Sequence, residues 1–328
     1  MEVIGGGSVK VWDAKDEGTH QPGPQELWQE SVVLLWWDFE QGIGGYYRIG
    51  HETNLKDGAK IALWNNVFTP DGVFKHTQYL PLRPQDRTDT HYGSGDDTLA
   101  YDFDGKQITW THGGADVQGQ LRVSDFHASI DCYPKKGQIS EFAPQHMEVA
   151  GTVAGELTVR GKSYKVKGLA FRDHGWGERV WDVLLSHRWV AGVFGPDLSF
   201  VGLSWHAADD SMAQFGWVVR GNTVTYAKEL DIVALIEADA LSCRGGTMKM
   251  TLTTGEVLDM RFEPLTPTVL SFHKGIACGD TLCRAYLGDR VGFADFEATN
   301  NLQGGKREPK KLLSGIAVNG WHPASSKS

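Results

Sequence analysis

Short runs of alternating apolar and polar residues, each closed by a glycine turn, recur along almost the whole chain. This period of two is hard to fold into anything but antiparallel strands. The stretch Glu148–Arg179 shows it best. Leu157 and Val159 alternate with Thr158 and Arg160, Gly161-Lys162 reverses the chain, and Tyr164 and Val166 alternate with Lys165 and Lys167 on the return. TLAYDFDGKQITWTH puts Leu99, Tyr101 and Phe103 on one face before an Asp104-Gly105 turn. TMKMTLTTGEVLDMRF does the same with Met248, Met250 and Leu252 before Thr254-Gly255. Hairpins are also expected about Gly195-Pro196-Asp197 and Gly221-Asn222, while DIVALIEADALSC fits a strand or a short helix equally. Helix-period patterning is nearly absent from the first half. With Gly 40 and Trp 12 in 328 residues, suited to turns, bulges and half-buried strands, the chain reads as all-β, built of meandering sandwiches or barrels.

The length has room for two compact domains or one large one. The boundaries read as a polar, Gly- and Pro-rich N-terminal arm over 1–26, a first β domain over 27–186, a second over 187–301 and a polar tail over 302–328. The basic run in that tail (Lys306-Arg307, Lys310-Lys311) reads as a solvated face. Pro81–Asp97 reads as a long loop, of the kind that forms lids or binding loops. A net charge of −9 argues against a nucleic-acid partner, and no apolar run reaches the length that spans a bilayer. Cys132, Cys243, Cys278 and Cys283 form no CxxC pair, so reduced thiols are expected; with no secretion signal in view, the expected location is the cytoplasm. No GxSxG, P-loop, GxGxxG or HExxH run occurs, which sets aside hydrolase, NTPase, dinucleotide and zincin readings.

The polar end of Glu148–Arg179 is where chemistry concentrates. Carrying the strand parity on from Tyr164 places Gly168, Ala170, Arg172, His174 and Trp176 on the inward face, with Asp173 behind them beside Leu169 and Phe171. A bulge at Gly168 would reverse this and bring Asp173 inward. Buried Arg and His need partners, which a pocket floor or a purely structural network would supply. A histidine tuned by a carboxylate moves protons near neutral pH, Arg172 or Arg179 can hold a carboxylate or a developing anion, and Trp176 offers its face to a cation.

The run His146-x-Glu148, a G-x-V strand, Gly161, then Gly-x-x-x-Arg-Asp-His-x-Trp-Gly-x-Arg from Gly168 to Arg179 resembles the AttH/carotenoid 1,2-hydratase-like superfamily. Gly292-Phe-Ala-Asp-Phe-Glu297 resembles a further strand of that group. Outside these runs the likeness is a thin pattern of glycines, tryptophans and turn spacings. The resemblance implies two lipocalin-like antiparallel β-barrel domains, and, in the hydratases, a His and a Trp at the places of His174 and Trp176 that serve substrate protonation and cation stabilisation. This chain departs from the pattern at Gly175, where many relatives have Ser, and in having no Tyr-x-Asp acid anywhere.

The expected architecture is two such barrels or half-barrels with a site near their junction. The expected function is a cofactor-free lyase or isomerase acting by acid–base proton transfer on a hydrophobic terpenoid, steroid or aromatic. In it, His174 moves the proton, Asp173 or Glu148 orients it, Arg172 is a charge partner and Trp176 an aromatic wall. Trp36, Tyr164, Trp189 and Glu297 are the further candidates for contact with the substrate, each weighed against a plain core role. His146, Glu148 and His174 are candidate metal ligands, but a metal needs more convergence than their spacing offers, and no metal site is expected. His51-Glu52 is expected in a loop. The alternatives are a binding protein that holds an apolar ligand without chemistry, and a motif that only staples two domains.

Overall fold

A computed structural model describes residues 1–135, 139–142, 144–302 and 319–324. Apart from single turns of helix, the regular elements among those residues are strands, and the chain divides into two compact units. The first domain comprises Trp12–Ser129, Ala143–Arg179 and Val318–Ser328; the second comprises Met1–Val11, Ile130–Phe142 and Val180–Ala317.

The first domain is a half-barrel of twelve strands. Its middle is the hairpin Gln145–Val159 and Lys162–Glu178, joined by a turn in which Arg160 (φ 49°) and Gly161 (φ 83°) are both left-handed, as a tight two-residue hairpin requires. On one side Lys162–Glu178 pairs with Trp28–Asp38, followed outward by Ile43–Glu52, Lys60–Thr69, Gly72–Pro81 and finally Gly320–Pro323. On the other side Gln145–Val159 pairs with Val117–Asp125, then Ile108–Gly113, Leu99–Phe103, His91–Gly93 and Arg87–Thr88. The inner face is continuous: Trp36, Tyr47, Leu63, Tyr101, Trp110, Leu121, Leu157, Tyr164 and Ala170 pack in one core. The register between the two central strands runs without a shift from Val159↔Lys162 to Gln145↔Trp176, so Gly168 makes no bulge and the inward parity of Arg172 and His174 holds. Gly168 has another reason to be glycine: a Cβ there would lie 2.4 Å from the Trp37 carbonyl oxygen.

The second domain is a closed eight-stranded barrel. Leu184–Val193, Ser199–Ala207, Met212–Arg220, Thr223–Ile236, Cys243–Leu252, Val257–Pro264, Ile276–Leu287 and Arg290–Asn301 pair in turn, and Arg290–Asn301 returns to Leu184–Val193 to close the ring. Val190, Phe200, Met248, Met250, Phe262 and Phe296 fill its interior. The segment left open between strand and helix is a strand to Ile236, because alternate residues enter this core while Val233 and Leu235 face out.

Two sequence expectations change. Pro81–Asp97 is only partly a loop: a 3-10 turn at Pro84–Asp86 and the strands Arg87–Thr88 and His91–Gly93 run through it, anchored by an ion pair of Arg83 with buried Asp86. His51 and Glu52 sit not in a loop but at the end of a strand, both buried. The basic run at 306–311 lies outside the described residues.

Candidate functional site

The inward face of Lys162–Glu178 stops being apolar after Ala170, and each polar side chain beyond it meets partners from another element. Arg172 is buried, and its guanidinium makes two fork-like contacts. Nη1 and Nη2 each donate to Glu17 at 2.8 Å; Nε and Nη2 donate to Asp125 at 3.0 and 2.6 Å. Ser129 Oγ joins this group, donating to Glu17 at 2.8 Å and accepting from Arg172 at 3.1 Å. Burial pushes the Glu17 carboxyl up, but the charge and hydrogen bonds of Arg172 outweigh it and leave the group below its usual range.

His174, 1 % exposed, lies one step further along the same face. Its Nε2 is 2.9 Å from Glu30 Oε1 and 3.1 Å from the Tyr92 hydroxyl, which itself donates to the Gly18 carbonyl. Glu30 also accepts from His20 Nδ1 at 2.7 Å, from the His20 backbone and from Arg87. Burial raises the Glu30 carboxyl, yet the hydrogen bonds of His174 and His20 and the positive charges around it hold it well below the ordinary carboxylate range. Trp176 caps the group: the His20 ring stacks on it with centroids 3.7 Å apart, and Trp12 packs at 4.6 Å. His20, Glu30 and His174 present donor atoms within 4.8 Å of one another, a spacing that could hold a metal ion. Arg87 already occupies the other oxygen of Glu30, and a second cation there would face that charge.

Asp173 and Glu148 do not orient His174. They pair across the strands on the opposite face, where His146 Nε2 lies 3.5 Å from each of them. Burial lowers the His146 ring, but these two carboxylates outweigh it and raise it above its ordinary value. The other candidates separate further. Trp36 is fully buried in the core, and Tyr164 packs there too, its hydroxyl reaching towards Asp71 at 3.4 Å. Trp189 and Glu297 are cross-strand neighbours in the second domain, on the face opposite Phe296 and the barrel core. Trp189 donates to the Tyr133 hydroxyl at 3.0 Å.

Beside Arg172 the first domain opens into a cleft of about 490 Å³. Phe103, Ile108, Val123 and Trp12 form one part of its lining; Glu17, Asp125, Ser129 and Arg172 form another. Sequence reasoning missed Glu17, Glu30, His20, Tyr92 and Asp125. Glu30 left a signal as an acid at the start of the apolar strand Trp28–Asp38, and Asp125 another, in parity with Val117, Leu121 and Val123 at the end of Val117–Asp125; Glu17, His20 and Tyr92 come from turns and a short strand with no period to read.

Several solved structures share the fold. AttH (NE1406) from Nitrosomonas europaea superposes with a TM-score of 0.65 at 11% identity, over 92% of this chain and 100% of that one. Kievitone hydratase from Nectria haematococca gives 0.60 at 8%, over 92% and 97%. CghA, solved with Sch210972, gives 0.60 at 10%, over 90% and 97%. The architecture is therefore that of the AttH-like two-barrel proteins, as the Arg-Asp-His-x-Trp run implied. Among curated proteins none matches the chain in sequence. Residues 13–302 match the model of a domain of unknown function, DUF7064, and the chain belongs to that family.

Proposed function

We propose that the chain is a cofactor-independent lyase or isomerase that moves a proton on a hydrophobic small molecule, adding or removing water or shifting a double bond. The observation that carries this reading is the cleft beside Arg172, whose lining passes from Phe103, Ile108 and Val123 to Asp125, Glu17 and Ser129. An apolar body with one polar end matches such a lining. Asp125 has the most open side chain of the ion-paired group, 31% exposed against 6% for Glu17. It is the group that accepts a proton from substrate carbon and returns it, while Arg172 fixes its orientation through two hydrogen bonds. As that proton leaves, negative charge develops on the substrate, and the Arg172 guanidinium beside Asp125 offsets it. His174 with Glu30 stands behind, its charge felt at Glu17. The fold shared with a kievitone hydratase is in keeping with water addition.

A panel of terpenoid, steroid and isoflavonoid alkenes incubated in heavy water tests the reading. Turnover with deuterium in the product is expected, and Asp125→Asn should lower kcat about 10²–10⁴-fold with melting and ligand affinity kept. Turnover unaffected by Asp125→Asn removes that residue from the chemistry. The near-complete enclosure of His174 favours a second reading, a carrier that holds the same ligands without reacting. A compound that copurifies, binds in the cleft and emerges unchanged after incubation would establish that instead.

A further inference from the structure

One turn in the wall of the cleft carries a cation that the reading above does not use. The ladder between Ile108–Gly113 and Val117–Asp125 ends at Ile108↔Val123, so Lys106 lies two residues past that pair on one side and Asp125 two residues past it on the other. The turn is fixed. Asp104 Oδ1 accepts from the backbone N–H groups of Lys106 at 3.0 Å and Gln107 at 2.8 Å. Gln107 Nε2 donates to the carbonyls of Ile108 at 3.1 Å and Val123 at 2.5 Å, which pins the backbone bearing Lys106 against the strand that ends in Asp125. Lys106 and Asp125 both line the cleft. The Lys106 ammonium makes no hydrogen bond or ion pair among the described residues, and its charge reaches Asp104 only through space.

The other titratable groups of the cleft are committed or lie in solvent. Arg172 is turned to Glu17, Asp125 and Ser129, so it acts on a ligand through its field rather than by contact. His127 Nε2 accepts from the Ala150 N–H at 3.3 Å while its Nδ1 donates to the Ala128 carbonyl at 2.9 Å; that ring is neutral, and burial keeps it so. Asp13, 78% exposed, stands beside Lys15. That leaves Asp125 to take a proton from a ligand and Lys106 to meet an oxygen. A carboxylate is a weak base towards carbon and needs a neighbouring group that takes up the electron pair. A carbonyl does this, and a double bond one carbon further spreads the charge. Glu17 and Asp125 balance Arg172 and Lys106. Moving a proton from the ligand to Asp125 shifts one negative charge onto an oxygen beside Lys106 and leaves that balance intact.

We propose that the cleft converts β,γ-unsaturated carbonyl compounds into their conjugated isomers, with Asp125 carrying the proton and Lys106 meeting the enolate oxygen. The C–H bond between the carbonyl and the double bond breaks, and its proton goes to an Asp125 oxygen. The electron pair enters the ligand, and the carbonyl oxygen, now negative, is held by the Lys106 ammonium. The Asp125 O–H bond then breaks, a C–H bond forms at the far carbon of the former double bond, and the carbonyl re-forms. No co-reactant is consumed. Phe103, Ile108 and Val123 support the apolar body of the ligand. Turnover of this kind rests on the lyase or isomerase reading and narrows it to isomerisation; the oxyanion site can be tested without turnover.

The β,γ-unsaturated isomers of progesterone and of cyclohexenone serve as substrates, followed by the ultraviolet absorbance of the conjugated product. Conversion of at least one is expected. Lys106→Met should lower kcat at least about 100-fold with the melting temperature kept, and Lys106→Arg should recover part of the loss. As a mimic of the enolate, para-nitrophenol is bound to Asp125→Asn, whose neutral amide replaces the protonated acid. Its ionisation, read from its visible absorbance, should have a midpoint about 1–3 pH units lower when bound than when free, and adding Lys106→Met should abolish the difference. A bound phenol that ionises as it does in water, or that ionises as readily without Lys106, overturns the proposal. So does hydration of the alkene panel with both enones left intact, an outcome that keeps the lyase reading. If neither alkenes nor enones react, both fall.

Discussion

Arg172 joins two acids through five hydrogen-bonding contacts to them and to Ser129, and its cost of removal follows from that. Arg172→Ala leaves Glu17 and Asp125 uncompensated, and a loss of about 3–5 kcal/mol in urea unfolding is expected. Arg172→Lys should recover little of this, since one ammonium cannot span two carboxylates as a planar fork does. His112 makes a separate prediction about pH. It is fully enclosed beside Tyr47, ring centroids 4.7 Å apart, and burial lowers its pKa to about 3. Between that value and the unfolded value of about 6.5 the unfolded chain binds a proton that the folded one refuses. Stability therefore falls as pH drops through that window, by up to about 1.4 kcal/mol per unit. His51, lowered to about 4 chiefly by burial, acts in the same direction. Glu30, held low when folded, loses its contribution as pH falls below the ordinary carboxylate range. His146 has the opposite sign: its raised value contributes below neutrality and is lost as pH rises through it. His112→Phe should narrow the difference in unfolding free energy between pH 7 and pH 4 by about 2–3 kcal/mol. At this scale the sequence told which way Arg172 and His174 point, because parity is local. It did not tell that Glu30 rather than Asp173 stands at His174, because cross-strand facing depends on register between strands far apart in the chain.

Among the elements, the central hairpin was the most legible, its alternation continuing unbroken through the polar motif. Gly168 marks the limit of that reading. A bulge there would reverse the parity, yet the pairing runs straight through it, and its glycine answers to the approach of the Trp37 carbonyl from the neighbouring strand. A methyl group at 2.4 Å from backbone oxygen cannot be accommodated by moving a side chain, so Gly168→Ala should cost about 1–3 kcal/mol by thermal or urea unfolding. A stability equal to wild type would mean that the two strands separate locally without penalty. The short strands after Pro81 were illegible for a different reason. Arg87–Thr88 and His91–Gly93 are too brief to display a period, and they exist because Asp86, Arg87 and Tyr92 are tied to partners elsewhere in the domain.

For the whole molecule, the two domains solve the problem of sheet edges differently. The barrel of the second closes on itself, so its pairing needs nothing further, whereas the half-barrel of the first is open. The four cysteines are free and buried in the folded chain, and a thermal midpoint unchanged by dithiothreitol is expected. That both domains are β-meanders could be read from turn spacing; which one closes could not, because closure depends on strand tilt and stagger rather than on any one strand. The strand Gly320–Pro323 covers one edge of the half-barrel, pairing with Gly72–Pro81 from far along the chain. During synthesis that edge waits: some 240 residues, the second domain's Ile130–Phe142 and Val180–Ala317 among them, must leave the ribosome before its last partner exists. The ribosome-bound chain is thus a template for strand addition by neighbours until Gly320–Pro323 arrives, a hazard set by the order of the sequence rather than by the finished fold.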